Sequence, residues 1–149
     1  MYGLMDTRRV SEESTTPDPV EVVTGLFEAA DRGDWDAVLS PYAPDAIFET
    51  DDGILDTVGA TRTRAFWEEW AGTFEDWTIK VETVVDLRNG VVYAAYRSEG
   101  HPAGSTSVVT ERGAFIYEWV DGMISRVIVG PDIDDARAAA ERLADERGR

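Results

Sequence analysis

Apolar residues recur at three-to-four spacing from Val20 through Val23 and Phe27 to Ala30, which predicts a helix with one buried stripe. Asp18 or Thr16 is placed to cap it, Pro19 suits its first turn, and Gly33 is placed to close it. Trp35, Val38, Leu39 and Tyr42 predict a shorter second helix, capped by Asp34 and bracketed at its end by Pro41 and Pro44. AIFET (46–50) reads as a short strand, and the acidic, glycine-containing stretch that follows it (DDGILDTVGAT) reads as a loop. A third helix starts near Thr61, with Phe66, Trp67, Trp70 and Phe74 on its apolar side.

From Trp77 the period changes to two. Trp77, Ile79, Val81, Thr83 and Val85 alternate with more polar residues, as in a half-buried strand. Asn89-Gly90 predicts a two-residue hairpin, because a type I′ turn requires positive φ at both central positions. VVYAAYRSEG and SVVTERGAFIYEWV supply two more strands, Asp121-Gly122 a second hairpin turn, and MISRVIVG the last strand. Asp132 then opens an alanine-rich helix whose acids come first and arginines last, in keeping with the helix dipole. The order α-α-β-α-β-β-β-β-α predicts an α+β fold. A strongly curved antiparallel sheet would carry helices on its concave face and enclose a cone-shaped cavity. Residues 1–17 are polar and non-periodic and read as a loosely docked arm; 18–149 read as a single domain.

Charge and composition remove several function classes. The 149 residues suit one domain, and 30 acidic against 14 basic residues leave a formal charge of −16. Such a field repels a phosphate backbone, so no nucleic-acid partner is expected. No apolar run approaches the length of a membrane span and no signal-peptide core follows the start, so the expectation is a cytoplasmic protein without a membrane partner. One histidine and no cysteine leave too few nitrogen or sulfur ligands for zinc or iron, and neither a metal nor a cofactor is expected.

The element order resembles the SnoaL-like branch of the nuclear-transport-factor-two-like superfamily over residues 18 to 144. Its carriers are VEVVTGLFEAADRGDWDAVLSPYAPDAIFET, ATRTRAFWEEWAGTF, GAFIYEWVDGMISRVIVGPD and DDARAAAERLA. The resemblance implies the cone fold, and a superfamily that includes ketosteroid isomerase, limonene epoxide hydrolase, polyketide cyclases, scytalone dehydratase and pocket proteins without a known reaction. In ketosteroid isomerase a carboxylate base works opposite an oxyanion hole of Tyr and protonated Asp. Aligned by eye, those three positions fall on Thr50, Leu26 and near Phe115, so that arrangement is not expected here.

Alternation places Glu111 on the same side of its strand as Phe115 and Tyr117, and Arg97 with Tyr93, Ala95, Glu99 and His101. If the Arg97 side faces the cone, Arg97 and Glu111 meet there, and the guanidinium keeps Glu111 ionised or orients a substrate carbonyl. If it faces outward, the two form a surface ion pair. Val92, Ala94 and Tyr96 make the other side apolar as well, and two apolar faces also fit a homodimer packed through its sheets. The candidate catalytic residues are therefore Arg97, Glu111 and Tyr117, with His101 at a strand end and Asp51 and Asp52 in the acidic loop as further acid–base groups. Phe48, Thr50, Tyr93, Phe115 and Val127 are expected to line the cavity; Phe27, Trp67 and Trp70, at helical spacing, belong either to the core or to the substrate site. Such walls suit a hydrophobic small molecule. The expected function is a cofactor-independent isomerase, cyclase, hydratase or epoxide hydrolase acting on a polyketide- or terpenoid-like substrate by acid–base chemistry. The alternative is a non-catalytic ligand-binding or dimerisation module whose cavity its own aromatics fill.

Overall fold

The computed structural model describes residues 18–50 and 56–149. Helix α1 (Pro19–Asp31) is capped by Asp18, whose carboxylate accepts from the Val20 N–H, and closes through Arg32 onto Gly33 at φ +74°. Helix α2 (Trp35–Leu39) is capped by Asp34, which accepts from the Ala37 N–H. Tyr42 does not extend this helix. It opens strand β1 (Tyr42–Thr50), and its ring is buried. A short strand β2 (Asp56–Val58) lies within the stretch expected to be a loop and pairs antiparallel with β1. Helix α3 (Ala60–Gly72) follows, then β3 (Thr78–Asp86), β4 (Val91–Gly100), β5 (Val109–Val120), β6 (Met123–Gly130) and helix α4 (Ile133–Arg147).

The strands form one curved sheet in the order β2-β1-β6-β5-β4-β3. β3 to β6 make the antiparallel meander, whereas β1 joins β6 in parallel, so the sheet is mixed. Register shifts between Tyr42 and Ile47, Val81 and Thr83, and Glu118 and Trp119 interrupt the ladders; such bulges bend strands and raise their twist. The Asp121-Gly122 turn has the positive φ pair expected of it (+54° and +80°). The first hairpin is wider than two residues. Arg88, Asn89 and Gly90 all take positive φ, and the Asn89 side chain donates to the Ala144 carbonyl at 2.7 Å, tying the turn to α4.

One face of the sheet carries α1, α2 and α3, and the main core lies between them: Val23, Leu26 and Phe27 meet Phe48, Val92, Ala94, Phe115, Tyr117 and Val127. The Asp31 carboxylate pins the end of α1 to β3, accepting from the Ile79 N–H at 2.9 Å and from Lys80 Nζ at 2.5 Å. Helix α4 covers the opposite face, where Ala136, Ala140 and Ala144 pack on Val91, Tyr93, Ala95, Ala114 and Ile116. The small side chains let the helix approach the strands closely. This explains why both sides of β4 are apolar: Val92, Ala94 and Tyr96 face the main core, whereas Val91, Tyr93 and Ala95 lie under α4. Residues 1–17, read as an arm, lie outside the described residues. Among the described residues no helix is long and apolar enough to cross a membrane.

Candidate functional site

Between the sheet and α3 lies a cavity of about 110 Å³. Phe66, Trp67 and Trp70 enter from α3, Phe48 and Thr50 from β1, and Val129 from β6. Trp77, Ile79, Tyr96, Ser98 and Glu111 complete it from the meander side. A deeper void of about 20 Å³, room for roughly one water molecule, lies towards α1 and shares Trp67, Trp77 and Ile79 with the first. Phe27, Tyr42, Phe115 and Tyr117 line it. Ring contacts run continuously through the region: Trp67 packs edge-on against Phe48 and Phe115, and Phe115 lies 4.9 Å from the Tyr96 ring.

The register of β4 on β5 decides which polar groups reach this space. Tyr96 pairs with Gly113 and Ser98 with Glu111, so Tyr96, Ser98 and Glu111 share the α3 side. Gly113 makes room for the tyrosine: a Cβ there would stand 2.9 Å from Tyr96 Oη and 2.8 Å from the Gly130 carbonyl. Glu111 is exposed at the rim, Tyr96 is partly buried, and Ser98 is buried. Burial first, and the neighbouring Glu111 charge second, push the Tyr96 hydroxyl up to about 12, so it stays a neutral donor at physiological pH. The Trp77 Nε1–H is buried and has no hydrogen-bond partner among the described residues.

Arg97 and Glu111 are not brought together. Arg97 pairs in register with Arg112 on the α4 side and forms an ion pair with Glu99 at 2.7 Å. Tyr93 is on that side too, buried beneath α4, with its hydroxyl donating to the Ile133 carbonyl and Arg137 stacked over its ring. It is not part of the cavity wall. His101 lies beyond the end of β4 against Asp76, whose carboxylate accepts from the His101 N–H at 2.7 Å and faces Nδ1 at 2.7 Å. Those contacts hold the Asp76 carboxyl below its ordinary range and leave the imidazole outside the cavity lining. Val127, on β6, is fully buried in the main core and lines neither space. Asp51 and Asp52 lie outside the described residues. Phe48, Thr50, Trp67, Trp70 and Glu111 do line the cavity; Phe27, Phe115 and Tyr117 line the void behind it. Sequence reasoning missed Tyr96, Ser98 and Trp77. The available signal was the alternation itself, since Tyr96 and Ser98 share a phase with Val92 and Ala94.

A larger open groove, about 510 Å³, runs along α4 on the other face. Its lining mixes charges of both signs, and Arg126 is already held by Glu49 at 2.5 Å and Glu118 at 3.2 Å. It lacks the ring walls of the cavity under α3.

The phenols around the site have a consequence for pH stability. Burial raises Tyr42 above its ordinary value of 10. It raises Tyr117 well above that value, with Tyr42 and Tyr96 adding to the effect. In the unfolded chain tyrosine ionises near 10. Above that pH the unfolded state has shed protons that the folded state keeps, so stability present below pH 10 falls as pH rises. The slope is about 1.4 kcal/mol per pH unit for each fully buried phenol. Alkaline titration is expected to show tyrosinate absorbance from these phenols appearing only with cooperative unfolding, above about pH 11. Their gradual ionisation near pH 10 in a chain that stays folded would contradict this burial.

A model of the SnoaL-like domain matches residues 23–127. No curated protein matches the chain. Among solved structures, a candidate polyketide cyclase from Xanthomonas campestris is 22% identical with a TM-score of 0.61, over 79% of this chain and 93% of that one. A hypothetical protein with a ketosteroid isomerase-like fold from Catenulispora acidiphila, in complex with trimethylamine, is 15% identical with a TM-score of 0.67, over 85% and 94%. An LEH-like epoxide hydrolase of M. tuberculosis is 18% identical with a TM-score of 0.65, over 87% and 93%. At these identities the structures show the fold.

Proposed function

The chain belongs to the SnoaL-like domain family, and on that footing we propose that it is a small-molecule enzyme that moves protons at the cavity under α3 without a cofactor. One observation carries this reading: a carboxylate, a phenol and a buried hydroxyl from adjacent strands converge on a ring-walled cavity. The Glu111 carboxylate takes a proton from the carbon next to a substrate carbonyl. The electron pair moves onto the oxygen as an enolate, which Tyr96 stabilises by donating its hydroxyl hydrogen. Protonation at the conjugated carbon completes an isomerisation with no oxidant required, and because Glu111 is exposed at the rim its proton can pass to solvent first, so that reprotonation at the original carbon gives exchange. The same pair serves a cyclase or a hydratase, because both reactions add to or eliminate from an enolate. Arg97, on the far side of the sheet, has no part in the mechanism.

Small-ring conjugated ketones such as cyclohexenone test the proposal directly. In heavy water the wild-type protein is expected to exchange their α-protons faster than buffer alone, at a rate that saturates with ketone. Exchange at the buffer rate across a panel of such ketones would remove the catalytic reading.

Binding without turnover is the second reading, and the cavity walls supply its observation: six aromatic residues and a rim carboxylate can hold a small cation. One similar structure holds trimethylamine. On this reading a small ammonium ion raises the melting temperature while ketone exchange stays at the buffer rate.

A further inference from the structure

We infer that Ser98 holds a hydroxyl carried on the carbon that Glu111 deprotonates, so that the substrate is an α-hydroxyketone. The inference rests on the proton-moving reading above and names its substrate class.

Buried hydroxyls are ordinarily hydrogen-bonded. Ser98 is 5% exposed and lines the cavity, and its hydroxyl bonds to no described residue. Among the described residues, Trp77 Nε1 is the one buried side-chain polar atom that lacks both a partner and any open surface. The Ser98 hydroxyl, unpartnered but not sealed, is therefore open to the cavity and free to bond what enters it.

Register fixes what this hydroxyl addresses. Ser98 stands directly opposite Glu111 on the same side of the sheet, and facing pairs bring their Cβ atoms to about 4.5–5.5 Å. A ligand carbon in front of Glu111 thus has its own substituent in front of Ser98. Tyr96 serves a different atom. Its ring reaches across to β5, where a Cβ on Gly113 would stand 2.9 Å from its hydroxyl. About 6.7 Å of strand separates Tyr96 from Ser98, so the two hydroxyls take neighbouring oxygens rather than share one.

Chemistry selects the second oxygen. Tyr96 takes the ketone, and the adjacent carbon must still carry the hydrogen that Glu111 removes. An oxygen on that carbon is consequently singly bonded and not a second carbonyl. A serine hydroxyl both donates and accepts, and a ligand hydroxyl answers both roles.

Binding and regiochemistry test this separately. α-Hydroxycyclohexanone and α-methylcyclohexanone have similar bulk and differ in the hydroxyl. In calorimetric titrations the wild-type protein is expected to bind the hydroxyketone about five- to tenfold more tightly, the equivalent of one hydrogen bond. Ser98→Ala is expected to bring the two ketones to equal affinity. In heavy water the wild-type protein should accelerate exchange at the hydroxyl-bearing carbon more than at the ring's other α-carbon, each relative to buffer, and Ser98→Ala should lose that preference. Should the variant not fold, the wild-type affinity ratio and exchange pattern decide alone. Equal wild-type affinity for the two ketones, or a preference that survives in Ser98→Ala, overturns the inference even if ketone exchange is catalysed. Faster exchange at the other α-carbon overturns it as well. A hydroxyl preference that depends on Ser98, with exchange at the buffer rate, supports the Ser98 contact and removes the catalytic reading instead.

Discussion

Glu111→Gln is expected to lower ketone α-proton exchange by about 10²–10⁴-fold, the usual contribution of a positioned general base. The substitution keeps the side chain's shape and removes its ability to take a proton. Glu111 is exposed at the cavity rim, so the change in folding stability should stay within about 0.5 kcal/mol. A second readout comes from Tyr96. The Glu111 charge is one of the two causes that raise its hydroxyl, so in the variant Tyr96 should titrate lower than about 12. A variant that exchanges ketone as fast as wild type would place the base elsewhere. One in which Tyr96 titrates unchanged would break the proposed coupling between the two groups.

Phe115→Ala is expected to cost about 3–5 kcal/mol, the range for removing a buried ring. Phe115 is 5% exposed, and its ring meets Phe27 at 5.4 Å, Trp67 at 5.9 Å, Tyr96 at 4.9 Å and Tyr117 at 5.9 Å. It therefore holds the deep wall of the site together from β5. For a domain of this size the melting temperature should fall by about 10 °C. The deletion also enlarges the void behind Trp67 and Trp77, so benzene or toluene should stabilise the variant more than wild type by filling it. Calorimetry with and without toluene measures both effects. A loss below about 1 kcal/mol would mean that neighbouring rings collapse into the space and that Phe115 does not set the cavity's depth.

The elements were legible where local chemistry is self-contained. Asp18, Asp34 and Asp132 each accept from the helix backbone as caps, and Gly33 and the Asp121-Gly122 turn adopt the positive φ that glycine and aspartate tolerate. Three features depend on partners distant in sequence. β2 exists through its pairing with β1, and Tyr42 enters β1 because its strand adds to β6 in parallel. The bulge between Val81 and Thr83 shifts the phase of β3, so Val84 rather than Thr83 packs into the main core.

The site was half legible for a related reason. Glu111 and the Phe48, Thr50, Trp67 and Trp70 walls follow from alternation and helical spacing. Which side of β4 faces the cavity did not, because an alanine-rich helix on one side and an aromatic core on the other make both sides apolar. Arg97 and Tyr93 were therefore candidates, whereas Tyr96 and Ser98 are the residues that reach the cavity. The orphaned indole of Trp77 has no signature in sequence at all, since it is defined by what surrounds it.

A crystal structure of the protein soaked with cyclohexenone tests the central claim most directly. The account predicts the ketone's ring in the cavity between Tyr96 and Glu111, with its oxygen within hydrogen-bond distance of the Tyr96 hydroxyl. A ring lodged in the groove along α4, or the ring-walled cavity still without ketone at saturating concentration, would contradict it.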